Sequence, residues 1–260
     1  MNSPNSHAQA QREVERLTRR LRLPYIRKAA PEVLATARSQ RWDPAEALKT
    51  LLEEEARGRD AATISNNRSR AGFPSGKTFE SWQETASSIP LPTQQALKTL
   101  EWVGRRENLC VCGPSGTGKS HYLESLSNLC VERGMKVGWF SLEDFGGLVR
   151  RYRPDDTVAK AIGRVCRADL IVVDDIGLLP VAHDTAEGFY RLVDAAYEKR
   201  SLAVSSNIHP AGFDEIIPKN LAGATVDRLM HHAHVVLTDG ESYRLTEASS
   251  GKGVVPLLGE

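Results

Sequence analysis

Three short apolar runs, residues 109–112, 170–173 and 202–204, recur along the chain from residue 109 onward, and polar residues follow each of them. Unbroken runs of this length, without polar alternation, are the pattern of strands buried on both faces in a parallel sheet. Residues 136–140 read as a further strand. Between these runs the apolar positions move to helical spacing. Leu123, Leu126 and Val131 mark a helix over residues 120–133, and Phe189, Leu192, Val193 and Ala196 mark another over 184–200. Ser141 and Asp156 are candidate N-caps of two more, the first ending in Arg150-Arg151-Tyr152-Arg153. A helix around residues 93–104 precedes the first run. Strands alternating with helices define an α/β class with a parallel sheet core.

The first part of the chain is patterned differently. About ten polar residues read as a disordered tail (1–10). An amphipathic helix follows over residues 11–23, with Val14, Leu17 and Leu21 on one face and Arg12, Arg16, Arg19 and Arg20 opposite. Pro24 and Pro31 divide what comes next. Asp43-Pro44 is a helix start, and Ala45, Leu48, Leu52 and Ala56 continue it to an end near Gly58. Residues 11–58 thus form a small helical module with little core of its own. A polar stretch containing Gly72-Phe73-Pro74 makes 59–92 a linker or arm. The α/β domain is expected over 93–248, with a tail over 249–260.

The polar residues that close the apolar runs carry the chemistry. The first run leads into Gly113-Pro114-Ser115-Gly116-Thr117-Gly118-Lys119-Ser120, which meets G-x-x-x-x-G-K-[ST] at every fixed position. Glycines let the backbone turn its N–H groups onto phosphate oxygens. Lys119 offers a compact charge to the β- and γ-phosphates, Ser120 a hydroxyl to Mg²⁺, and the helix behind them its positive end. ATP and Mg²⁺ are the cofactors this implies. The second run ends in Asp174-Asp175, which places two carboxylates at the edge of the sheet where nucleotides bind. In such a Walker B motif Asp174 completes the Mg²⁺ shell and Asp175 orients or deprotonates the attacking water. Many ATPases of this architecture have Glu there, so the shorter Asp175 suits slow or partner-dependent hydrolysis. The third run ends in Asn207, placed to bond the γ-phosphate or the water in the sensor-1 role of AAA+ ATPases, or simply to begin the turn into His209-Pro210.

A net charge of +1 over 260 residues gives no whole-protein field toward nucleic acid, but the distribution is uneven. Residues 1–30 hold seven basic side chains against two acidic ones. That arginine face is either a solvated surface or a phosphate-contacting one, and its local density favours contact. Arg150, Arg151 and Arg153 are the next candidates, with a helix end complementing its macrodipole as the plainer account. No signal peptide and no membrane-spanning stretch is legible, and Cys110, Cys112, Cys130 and Cys166 sit in expected core elements. The expected compartment is the cytoplasm.

The last part of the chain narrows the family. Residues 223–236, containing Asp227-Arg228-Leu229 and His231-His232, and Gly240-Glu241-Ser242-Tyr243-Arg244-Leu245 resemble the end of IstB-type proteins, the helper ATPases of two-gene insertion sequences and relatives of DnaC helicase loaders. Leu23-Pro24, the arm Phe73-Pro74 with Lys77-Thr78-Phe79-Glu80, and residues 197–201 carry the likeness further, from about Leu17 to Leu245. The resemblance implies an AAA+ fold, DNA contact through the N-terminal helices, and ATP-driven assembly of a homo-oligomer on duplex DNA, without sequence specificity, for a partner transposase. By the same resemblance Arg228 matches an arginine finger reaching a neighbour's γ-phosphate, and Arg244 the sensor-2 position. A DnaC-like helicase loader is the alternative reading. A small-molecule kinase fits less well, because no acceptor-site lid is evident. His231-His232 with His234 is set aside as a metal cluster, since adjacent histidines diverge on a regular element and no acidic or thiolate partner is near in sequence.

Overall fold

The computed structural model describes residues 4–152, 158–177, 181–215, 217–240 and 242–243. The chain divides into two compact units, Met1–Asn66 and Asn67–Glu260. No helix among the described residues is long and apolar enough to cross a membrane.

The N-terminal unit is helical. Helix α1 spans Pro4–Arg20, α2 spans Pro24–Ser39, and α3 begins at Pro44 and runs to Ala71. Pro24 opens α2, where its missing N–H costs nothing. The side chain of Glu55, from α3, accepts hydrogen bonds from the backbone N–H groups of Tyr25 and Ile26, each at 2.9 Å, and so caps the start of α2. Arg59 holds the other oxygen of that carboxylate at 2.8 Å. Burial pushes the Glu55 pKa up, but the two N–H groups and the guanidinium outweigh it and leave the group below its ordinary value.

Two features differ from the sequence pattern. Residues 4–10 are the first turns of α1 rather than a disordered tail; Ala8, Gln9, Ala10 and Gln11 are good helix formers. Helix α3 does not stop at Gly58. A Cβ at Gly58 would lie 2.2 Å from the Tyr25 ring, so this glycine makes room for a close contact instead of ending the helix. Residues 59–71, read from their polarity as linker, continue α3 without a proline until Pro74. The apolar stripes of this unit are largely uncovered: Leu21 is 63% exposed and Leu48 58%, whereas Thr18, Ile26, Ala30 and Glu55 are buried.

The second unit is a five-stranded parallel sheet wrapped by helices. Its strands are β1 (Asn108–Cys112), β2 (Val137–Ser141), β3 (Leu170–Ile176), β4 (Ser201–Ser206) and β5 (Ala233–Leu237), in the order β2-β3-β4-β1-β5. Strands β1, β3 and β4 lie inside the sheet, which explains their unbroken apolar runs. Helices α4 (Leu91–Lys98), α5 (Glu101–Gly104), α6 (Lys119–Glu132), α7 (Leu142–Tyr152), α8 (Val158–Val165), α9 (His183–Ala196) and α10 (Lys219–Met230) complete the unit. Alternate strand residues Cys110, Cys112, Ile171, Val173 and Val204 join one cluster with Phe145 and Val149 of α7 and Phe189 and Leu192 of α9. Helix α6 is buried along most of its length.

The arm over residues 72–90 lies along α6. Glu124 of α6, 1% exposed, accepts from the backbone N–H of Ser75 at 3.1 Å, the Ser75 hydroxyl at 2.6 Å and the Gly76 N–H. Asn128 donates to the Lys77 carbonyl at 2.8 Å. Phe79 meets Tyr122 edge to face, and the Lys98 ammonium sits 4.2 Å above the Phe79 ring.

Candidate nucleotide site

The tips of β1, β3 and β4 share one edge of the sheet, and the loop from β1 to α6 closes over it. Gly116 and Gly118 hold φ at +86° and +89°, a left-handed conformation that a side chain would disfavour. Space is limiting as well: a Cβ at Gly116 would meet the Ser242 hydroxyl at 2.1 Å, and one at Gly118 would meet the Trp82 ring at 3.0 Å. Gly118 is the N-cap of α6 and no side chain caps the helix there, so its first N–H groups form an anion-receiving nest. Pro114, Ser115 and Thr117 complete the loop. The Thr117 hydroxyl bonds the Pro114 carbonyl at 2.9 Å and lies 2.7 Å from that of Thr238.

Lys119 is the first residue of α6 and only 6% exposed. Its ammonium donates to the Pro114 carbonyl at 2.7 Å and to Oδ1 of Asn207, just beyond β4, at 2.8 Å. The Ser120 hydroxyl donates to Oδ1 of Asp174 at 3.0 Å, and Ser205 donates to the same oxygen. Burial raises the pKa of Asp174 most. The Ser205 bond opposes this, and the neighbouring charge of Asp175 adds to the rise. A buried carboxylate beside a hydroxyl is a pair of hard oxygen donors. Their 3.0 Å separation suits adjacent positions around an octahedral cation with bonds of about 2.0–2.1 Å. The residues present therefore fit Mg²⁺, and the loop fits a polyphosphate.

Asp175 reaches the surface through a local irregularity. Val173 pairs with Val204 and Ile176 with Ser206, so Asp174 and Asp175 together face only Ser205. This β-bulge turns Asp175 outward with φ +63°, and its N–H donates to the Ser205 hydroxyl at 2.9 Å. Asp is among the residues that tolerate this conformation.

Lys119 with Asn207 and Ser120 with Asp174 thus make two hydrogen-bonded pairs, with Asp175 following Asp174 in the strand. Arg228 lies elsewhere, on α10. It pairs with Asp194 of α9 at 3.1 Å, not with the neighbouring Asp227 or Asp239, and its guanidinium carbon sits 5.6 Å from the Tyr190 ring centroid. Arg244 and Arg153 lie outside the described residues. Arg12, Arg16, Arg19 and Arg20 are exposed on α1, where Arg16 pairs with Glu13 and Arg19 with Glu15. Arg150 donates to the Thr185 hydroxyl at 3.3 Å, and Arg151 is exposed.

Several neighbours of the loop were not legible in the sequence. Trp82 stands 5.1 Å from His121 and donates its indole N–H to Gln94 at 2.8 Å. Thr238 donates its N–H to the Cys112 carbonyl at 2.7 Å, and Tyr243 donates its own to Gly116 at 3.0 Å. A lone tryptophan in a polar arm is the only signal that hinted at the first.

A parallel sheet in this order, with a P-loop after the interior strand β1 and paired carboxylates on the next strand but one, β3, defines a P-loop ATP-binding protein of AAA+ architecture. DnaA from Aquifex aeolicus, solved with AMPPCP, superposes with TM-score 0.53 at 21% identity, covering 70% of this chain and 56% of that one. The DnaC helicase loader gives 0.50 at 14%, covering 62% and 96%. The family described as IstB-like ATP binding proteins matches residues 16–251, and the chain belongs to it. The ATP-binding protein of insertion sequence IS21 from Pseudomonas aeruginosa is 30% identical over 237 residues, 90% of this chain and 89% of that one. Its counterpart in IS5376 of Geobacillus stearothermophilus is 28% identical over 230 residues, 88% and 92%.

Proposed function

We propose that this protein is an ATP-hydrolysing transposition helper that assembles on duplex DNA and delivers it to a partner transposase. The observation that carries the reading is the linked set Lys119–Asn207 and Ser120–Asp174 at the carboxyl edge of the sheet. Lys119 and the N–H groups of residues 115–120 would bind the phosphates, and Ser120 and Asp174 would hold Mg²⁺, which would neutralise developing phosphate charge. Asp175, exposed beside them, takes a proton from the attacking water. Asn207 positions that water or the γ-phosphate. Arg228 acts in a neighbouring copy's site, leaving Asp194 when an oligomer forms with ATP between subunits, and Arg244 takes the sensor-2 role.

Exposed arginines on α1 support DNA contact through the phosphate backbone, which carries no sequence information. The likeness to DnaC is one of fold, and relatives encoded in insertion sequences favour the helper over a helicase loader. Imaging full-length protein with duplex DNA in ATP and in ADP tests the reading. Ordered assemblies should form with ATP alone, and replacing Arg16, Arg19 and Arg20 by Ala should flatten the dependence of log K on log salt. Assembly indifferent to the nucleotide, or an unchanged salt slope, would refute the corresponding part.

A further inference from the structure

The edge of the sheet opposite the nucleotide site carries a second cluster. Glu198 lies in the turn before β4, and His231 and His232 lie in the turn before β5. Because β4 and β5 flank β1, the topology brings these two turns together. One ligand atom from each of the three side chains lies within 4.8 Å of the others, and all three are exposed.

Both reasons for setting these histidines aside fail in the fold. His231 follows the last residue of α10, and His232 adopts φ +58°, so the pair does not sit on a regular element and the ring centroids come to 3.9 Å. The acidic partner arrives from a distant part of the chain. Glu198 too is left-handed, at φ +56°. Two non-glycine residues in this conformation within one cluster represent stored backbone strain, which concentrates at functional positions.

The surroundings hold the cluster in place. Asn108 donates its N–H to the His232 carbonyl at 3.1 Å, and Arg106 donates to that of Glu198 at 3.4 Å. The Tyr197 hydroxyl lies 3.1 Å from Nδ1 of His231, which leaves Nε2 for a cation and fixes the ring as outer partners of metal-bound histidines do. His234, grouped with the pair in the sequence, is instead engaged by Glu107 at 2.7 Å.

We propose that Glu198, His231 and His232 form a binding site for a divalent transition-metal ion, Zn²⁺ by preference. Two imidazoles and one carboxylate are a borderline donor set, and three protein ligands with water in the fourth position make a tetrahedral zinc site. Bonds of about 2.0–2.2 Å require ligand atoms roughly 3.3 Å apart, a contraction that exposed side chains reach by small rotations. The ion would clip the end of α10 to the turn after α9. Those helices carry Arg228 and Asp194, each about one turn from a ligand, so the clip would steady the pair that holds Arg228.

Zn²⁺ titration of untagged, chelator-treated full-length protein against a chromophoric chelator is the test. One equivalent should bind, and Glu198→Gln, His231→Ala and His232→Asn should each weaken binding about tenfold or more, while His234→Asn leaves it unchanged. Imidazole ¹⁵N spectra of the unsubstituted protein guard against misfolded variants: Zn²⁺ should shift the signals of two histidines. A dissociation constant weaker than about 100 μM, binding that survives the three substitutions, or shifts spread over other histidines would overturn the proposal.

Discussion

Replacing Glu124 by glutamine removes the anchor of the arm with almost no change of shape. The carboxylate is 1% exposed and receives three donors from Ser75 and Gly76. Hydrogen bonds to a charged acceptor contribute about 1.5–3 kcal/mol each, and stranding a buried donor adds its desolvation cost. Glutamine with its carbonyl oxygen at the Oε1 position keeps both N–H bonds in weaker, uncharged form, and its amide nitrogen faces the Ser75 hydroxyl, which must turn from donor to acceptor. Each bond loses about 1 kcal/mol on becoming neutral, and relief of the buried charge offsets part of the sum, which leaves about 1–3 kcal/mol. For a unit of this size that corresponds to roughly 3–10 °C in melting temperature. Urea unfolding followed by circular dichroism should show a lower midpoint with an unchanged slope. A double-mutant cycle with Ser75→Ala should give a coupling of at least about 0.5 kcal/mol. Nucleotide affinity should fall as well, because Trp82 farther along the arm lies against Gly118. A midpoint shift worth less than about 0.5 kcal/mol, or strict additivity with Ser75→Ala, would refute the reasoning.

Three further outcomes are expected. Asp174 carries a raised pKa, so its charged form opposes folding above the ordinary carboxylate range. Asp174→Asn should therefore raise the melting temperature at neutral pH without Mg²⁺, with the gain shrinking as pH falls through that raised value, and should abolish the Mg²⁺-dependent gain in ATP affinity. Glu107 is held down to about 2, first by Arg105 and then by His234, so the stability it contributes is present above its unfolded pKa and lost as pH falls toward 2. The melting difference between the unsubstituted protein and Glu107→Gln should accordingly be flat from neutral pH to about 5 and close below about 4. Arg228→Ala and Lys119→Ala should each abolish DNA-stimulated ATP hydrolysis, and mixing the two should restore part of it. A mixture that co-assembles yet stays inactive would remove Arg228 from the proposed role.

What the sequence made legible is what local patterning determines. Buried strands need unbroken apolar runs, and a phosphate loop needs glycines and a lysine at fixed spacing, so β1, β3, β4 and the Gly113–Ser120 loop stood out. The misreadings came from residues whose meaning depends on a distant partner. Gly58 looked like a helix end because nothing nearby announced the Tyr25 ring, and residues 59–71 looked like linker because polarity alone does not separate an exposed helix from a loop. Arg228 likewise takes its ion-pair partner, Asp194, from another helix, α9, which no local pattern announces. Glu124 and Glu198 carry no local signature, since each gains its neighbours only when the sheet and its turns are assembled.

The bulge in β3 makes Asp175 an insertion in the ladder. Residues up to Val173 and the residue Ile176 follow different registers against β4, and Ile176, fully buried, shares the core face of Val173 because one additional residue has been counted out before it. Shortening the strand by that residue would leave Ile176 opposite Ser206 and facing the core, so the sheet would keep its register and lose only the exposed carboxylate. Lengthening the side chain to glutamate is a different compromise: the carboxylate would reach one methylene farther, but on a left-handed backbone that aspartate occupies more readily. The short acid at this position is thus matched to the geometry of the strand that carries it, and its reach toward any substrate is set by the same fold that keeps the sheet in register.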